Sequence, residues 1–115
     1  MPIEVKELEL KQIFEYGLYF HGHLCLGMPL GLRAGLLARR KLGVKRAKDK
    51  ELFLLAETGT NHAMACFLDG LMIATGCTCG KGNVQKLDYG KLAFTLINQK
   101  NKMQIRISVK PEFIL

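Results

Sequence analysis

Apolar residues along the chain fall into two rhythms, one helical and one strand-like. From residue 3 to 19, Leu10, Ile13, Phe14 and Gly17 or Leu18 recur at helical spacing. Glu4, Glu7 and Glu9 come early in this stretch, where the positive end of a helix dipole favours acids. Residues 20–25, FHGHLC, read as a connection. A second helix is predicted from Met28 to Leu42, with Pro29 in its first turn, Gly43 at its stop and Arg39, Arg40 and Lys41 in its last turn. Residues 51–57, ELFLLAE, read as a buried strand, residues 62–75 as a third, largely buried helix, and residues 76–83, GCTCGKGN, as a glycine-rich loop. The end of the chain alternates: Leu92, Phe94 and Leu96 mark one face of a strand, and Ile105, Ile107 and Val109 one face of another. The polar run 98–102 joins them as a hairpin, and Lys110-Pro111 ends the ladder. The pattern predicts an α+β fold, a single domain over residues 1–115 with a mainly antiparallel sheet packed with helices and a C-terminal β-hairpin.

Gly27, Gly31 and Gly35 recur every four residues in the second helix, with Ala34 and Ala38 beside them. Glycine costs helix propensity, so this face is expected to meet another backbone at close range. Arg33 and Arg39 interrupt it, which makes it a packing face in water rather than a membrane dimer motif.

Charge sharpens the picture. The 115 residues hold 17 Lys and Arg against 10 Asp and Glu, a net charge of +7. Residues 39–50 alone carry a net +6, from Arg39, Arg40, Lys41, Lys45, Arg46, Lys48 and Lys50 against Asp49. A uniformly basic nucleic-acid coat is thus disfavoured, and the basic segment lacks the interleaved aromatic residues on which bases stack. It reads as a solvated helix end and loop, or as a docking surface for an acidic partner or an anionic substrate tail. No apolar run reaches the ~18–20 residues of a membrane span, and the N-terminus has no signal-peptide apolar region. A cytoplasmic protein is expected, in which four Cys are thiols or metal ligands rather than disulfides.

The densest candidate chemistry is His21-Gly22-His23-Leu24-Cys25. In an extended segment residues 21, 23 and 25 point to one side; in a helix only His21 and Cys25 share a face. Two imidazoles and a thiolate form a borderline-to-soft ligand set suited to zinc, nickel, copper or iron. Cys25 also lies just before the second helix, whose free N–H groups favour a thiolate. On the third helix His62, Cys66 and Asp69 can share one face. Cys66 alone reads first as a small core residue, but Asp69 in an apolar helix needs a partner such as a helix N-terminus, a cation or a metal-bound His. Cys77-Thr78-Cys79 followed by Lys81 sits in the glycine loop, which offers a tight turn or backbone N–H groups facing an anion.

Three blocks together resemble the FmdE family, named for a component of formylmethanofuran dehydrogenase: FHGHLCLGMPLGLRAG from Phe20 to Gly35, C-x-x-DGLMIATGCTCGKGN from Cys66 to Asn83, and DYGKLAF from Asp88 to Phe94. The resemblance implies an α+β core domain, a homodimer and a His/Cys-lined cleft able to hold a metal ion. It also implies a link to one-carbon metabolism and methanogenesis, since the family's enzyme complex handles one-carbon units with a molybdenum or tungsten cofactor bound by a different subunit. Carried over by position, the motifs point to His21, His23 and Cys25, then Cys66, Asp69, Cys77 and Lys81, then Tyr89 and Lys91. The expectation is a transition metal, zinc first and nickel or iron next, held by His23, Cys25, Cys66 and Cys77. Cys25, His21 and Lys81 are the expected catalytic groups of a metal- or thiol-dependent enzyme or accessory dehydrogenase subunit. The alternative is a non-catalytic subunit docking through residues 39–50. Leu26 stands where the family usually has Pro, residues 57–62 match less cleanly, and Cys79 often has an aromatic in its place. The C-terminal zinc finger of some members is not expected here.

Overall fold

The structure is a computed structural model that describes residues 8–110. Helix α1 spans Leu10–His21, α2 spans Gly27–Leu42 and α3 spans His62–Thr75. Strands are β1 at Leu52–Ala56, β2 at Val84–Lys86, β3 at Ala93–Asn98 and β4 at Gln104–Ser108. The sheet order is β2-β1-β3-β4, parallel between β1 and β2 and antiparallel elsewhere. The α+β expectation holds, with β3 and β4 as the hairpin. Among the described residues no helix is long and apolar enough to cross a membrane.

The boundaries follow local chemistry. Helix α3 begins where Asn61 Oδ1 accepts the N–H of Met64 at 2.9 Å. Helix α2 ends at Gly43, whose φ of +67° is a conformation only glycine adopts cheaply. Helix α1 runs two residues past its expected end, through Phe20 and His21, and stops at Gly22 with φ +96°. The first part of the predicted helix, residues 3–7, lies outside the described residues.

Leu52, Leu54 and Ala56 of β1 alternate inward, as do Phe94 and Leu96 of β3. Leu52, Leu54, Phe94 and Leu96 pack with Ala34 and Ala38 of α2 and with Phe67 and Leu71 of α3. A second apolar cluster joins Ile13 of α1 to Met28 and Leu32 of α2 and Ile73 of α3. The α2–α3 pair is thus a middle layer, with the sheet on one side and α1 on the other.

That middle layer is closed by glycine. A Cβ added to Gly31 would overlap the carbonyl oxygen of Phe67, and one added to Gly70 would overlap that of Met28. The small-residue face of α2 therefore meets backbone directly, as its spacing predicts.

The basic segment has a structural part. Arg46 Nε donates to the carbonyl of Ile73 at 2.7 Å, Arg39 Nη1 to that of Ala74 at 3.0 Å and the Ala47 N–H to that of Thr75 at 2.8 Å. The Gly76 N–H donates to the carbonyl of Met72 at 2.9 Å. All four C-terminal carbonyls of α3 are satisfied, and two guanidinium groups sit at the negative end of its dipole. Residues 39–50 are therefore more than a solvated surface; Arg39 and Arg46 are half-buried, and Arg40, Lys41, Lys45, Lys48 and Lys50 are the exposed cations of the segment.

On the outer face of the sheet Arg106 of β4 reaches across β3 to Glu57, in a two-pronged pair of 2.7 and 2.9 Å. The guanidinium holds the Glu57 carboxyl below its ordinary value.

Two outcomes are expected. Gly31→Ala destabilises the protein in urea unfolding by roughly 1–3 kcal/mol through overpacking, against the helix-propensity gain, whereas Gly80→Ala, with no atom within 4 Å of the added Cβ, leaves stability unchanged or slightly raised. The Glu57–Arg106 pair stabilises the fold above the ordinary carboxylate pKa, and the effect fades as pH falls through the lowered folded value. Denaturation midpoints of wild type and Glu57→Gln should therefore differ most at neutral pH and converge on acidification.

Candidate metal centre

Three segments bring their His and Cys residues to one place. Gly22 turns the chain at the end of α1 and leaves His21 on the last helical turn. Residues 22–26 then lead into α2, and the N–H groups of Gly27 and Met28 donate to Cys25 Sγ. Helix α3 presents His62 on its first residue and Cys66 one turn later, with Nε2 and Sγ 3.6 Å apart.

The donor atoms of His21, Cys25 and Cys66 lie within 4.8 Å of one another, and so do those of His23, His62 and Cys66. Cys66 belongs to both groups. The His21 and His23 rings are 4.5 Å apart between centroids, and the His23 and His62 rings stack at 5.8 Å. His21 and Cys25 pair as i and i+4, at 3.5 Å from Nε2 to Sγ. The segment is not extended, since His21 ends α1 and Gly22 is left-handed, yet His21 still meets both the His23 ring and Cys25, and His23 in turn stacks on His62.

Asp69 has the partner its apolar surroundings require. Its Oδ2 accepts from His21 Nδ1 at 2.7 Å. This contact fixes the Nδ1–H tautomer when the ring is neutral and aims Nε2 at Cys25. The hydrogen bond to Asp69 raises the His21 pKa above 6.5, against the lowering effect of burial. Burial pushes the Cys25 thiol up, but hydrogen bonds from the Met28 N–H, Cys66, His21 and the Gly27 N–H outweigh it and bring the value down. Cys66 is driven the other way, by burial and by the neighbouring Cys25.

Three imidazoles and two thiols are nitrogen and sulfur donors, a set that suits zinc or another late transition metal and not calcium or magnesium. Beside them opens a cleft of about 240 Å³. Cys25, Cys66 and His62 line it together with the apolar side chains of Leu26, Leu30, Phe67 and Leu92.

Cys77 and Lys81 are not brought to this cluster. They follow the C-terminal end of α3, and the nine residues from Cys66 to Thr75 rise about 13 Å along the helix axis. Cys77 is fully buried in the main core, where desolvation pushes its thiol up to about 11. Lys81 Nζ donates to the carbonyl of Ala47 at 3.3 Å. The loop closes as a turn in which the N–H groups of Cys77, Thr78, Lys81 and Gly82 are used internally. Cys77 N–H goes to Thr75 Oγ1, Thr78 N–H to Asn83 Oδ1 and Lys81 N–H to Thr78 Oγ1. Tyr89 and Lys91 are exposed ahead of β3, and Leu92 after them reaches the cleft. His62 is the donor missing from the expected ligand set; its signal was the i, i+4 spacing to Cys66.

Residues 20–114 match the family described as FmdE, molybdenum formylmethanofuran dehydrogenase operon. The chain belongs to the FmdE family. A probable S-adenosyl-L-methionine-binding protein of Archaeoglobus fulgidus is 34% identical over 97 residues, 81% of this chain and 25% of that protein. The chain thus spans about a quarter of the length of this curated relative. The crystal structure of an FmdE-like protein of the tungsten formylmethanofuran dehydrogenase type, from Syntrophus aciditrophicus, superposes with a TM-score of 0.57 at 18% identity, covering 91% of this chain and 75% of that one. That likeness shows an FmdE-type fold.

Removing the Asp69 carboxylate tests the electrostatics of the FmdE centre. In metal-free protein, Asp69→Asn is expected to lower the His21 pKa, read from the pH dependence of its imidazole resonances. An unchanged titration midpoint would show that Asp69 is not what raises it.

Proposed function

We propose that the chain is a metal-binding FmdE protein of one-carbon or redox metabolism, holding one transition-metal ion, zinc foremost, in its His/Cys centre. The observation that carries this reading is the meeting of five nitrogen and sulfur donors around Cys66. Cys25 and Cys66 supply the thiolates, His23 and His62 supply imidazoles, and His21 either ligates or orients, held by Asp69. An ion held by three or four protein ligands with one open position would act as a Lewis acid towards a carbonyl or a bound water. In that setting His21 holds a proton between Asp69 and Cys25, and the apolar walls of the cleft exclude water from a small substrate. Cys77 and Lys81 are left out of this assignment because α3 separates them from Cys66.

The family suggests a homodimer, a cytoplasmic setting and, as partners, other subunits of a formylmethanofuran dehydrogenase-type oxidoreductase. Docking through the basic segment is a compatible second reading, carried by the outward-facing Arg40, Lys41, Lys45, Lys48 and Lys50.

Elemental analysis of protein purified without chelators is expected to find about one zinc per chain, as in tetrahedral Cys/His sites. Cys25→Ser, Cys66→Ser and His62→Ala should each lose most of it, and Cys77→Ser should keep it. Full metal content in both Cys25→Ser and Cys66→Ser would end the assignment.

A further inference from the structure

Two thiols face each other at the centre. Cys25 Sγ and Cys66 Sγ lie within 4.8 Å of one another, with no other cysteine sulfur in either donor group among the described residues. Their supports differ. Cys66 is held within α3 and is 2% exposed. Cys25 lies in the connection between α1 and α2, outside any run of helical hydrogen bonds, and is half-buried at the cleft. The backbone beside it already touches α3, since a Cβ on Gly27 would lie 2.8 Å from the Cβ of Cys66. A disulfide needs the sulfurs about 2.05 Å apart, so closure requires the connection to move by a few ångströms at most.

We infer that Cys25 and Cys66 form a redox-active dithiol, which a small peroxide entering the cleft closes into an intramolecular disulfide. Cys25 is the sulfur that the oxidant meets first, because it is half-buried whereas Cys66 is buried. The Cys25 thiolate attacks one peroxide oxygen, the O–O bond breaks and hydroxide leaves, giving a sulfenic acid on Cys25. The Cys66 sulfur then attacks Cys25, the S–O bond breaks, and the departing hydroxide takes the Cys66 proton as water. With hydrogen peroxide the sum is two thiols and one peroxide giving one disulfide and two waters. The sulfurs together lose two electrons and the peroxide gains them.

The same bond removes both sulfur donors from the centre. This second consequence rests on the metal-binding reading above; the disulfide itself does not. Imidazoles alone hold zinc in other settings, but here the ion would keep only His donors and its affinity would drop.

The test uses the full chain. Metal-free protein is treated with equimolar hydrogen peroxide, free thiols are alkylated, and the digest is mapped by mass spectrometry without reduction. The expected product is a Cys25–Cys66 crosslinked peptide within one chain, reversed by dithiothreitol, with Cys77 and Cys79 alkylated. In Cys66→Ser a dimedone adduct should accumulate on Cys25. A crosslink of Cys25 to Cys79 or between chains, or an oxidised Cys25 beside an alkylated Cys66, overturns the inference. Zinc-loaded protein treated in the same way separates the two readings. Disulfide formation with zinc release to a chromogenic chelator supports both. A disulfide in protein that never takes up zinc removes only the metal site. Zinc uptake without a disulfide in the metal-free arm removes only the dithiol.

Discussion

The contact between α2 and α3 at Gly31 and Gly70 is the constraint on which the rest of the structure depends. No side chain separates the helices there, because a methyl group on either glycine would overlap a carbonyl oxygen of the other helix. Packing this tight fixes the sliding and the rotation of one helix against the other. It therefore fixes where the entry to α2, and Cys25 with it, stands relative to Cys66. The sheet and α1 both pack on this pair, so the core and the His/Cys centre share one geometric origin.

Helix α3 has two ends with different tasks. Its first turns carry His62 and Cys66. Its last turn has no basic residue of its own and receives Arg39 and Arg46 from another part of the chain. The guanidinium groups serve both as hydrogen-bond donors to otherwise unpaired carbonyls and as charges opposing the dipole. Part of the uneven charge distribution of the chain thus has a structural cause, which separates two inward-facing arginines from the outward-facing cations around them.

Much of the fold was legible because it is written in short-range periodicity. Helix α3 begins and ends where residues 62–75 suggested, and the β3–β4 hairpin follows its alternation. Strand β2 was not legible: three residues with one half-buried valine carry no pattern, and its pairing with β1 is a long-range event. The Glu57–Arg106 pair was hidden for the same reason, joining residues 49 positions apart. At the centre, the need of Asp69 for a partner could be read from its apolar neighbours, but not that His21 would meet it. Motif order placed Cys77 and Lys81 with Cys66; the rise of an intervening helix separates them, a distance that order alone does not record.

His21 ends α1 and offers both ring nitrogens at once, one to Asp69 on α3 and the other to Cys25. The imidazole is therefore a pin shared by architecture and chemistry. Its carboxylate contact fastens one helix to another, and its remaining lone pair belongs to the donor cluster. Helix α1 cannot shift at that end without withdrawing a donor, and the donor cannot reorient without loosening a helix. The outer layer of the molecule and the state of its centre are thereby joined through a single aromatic ring.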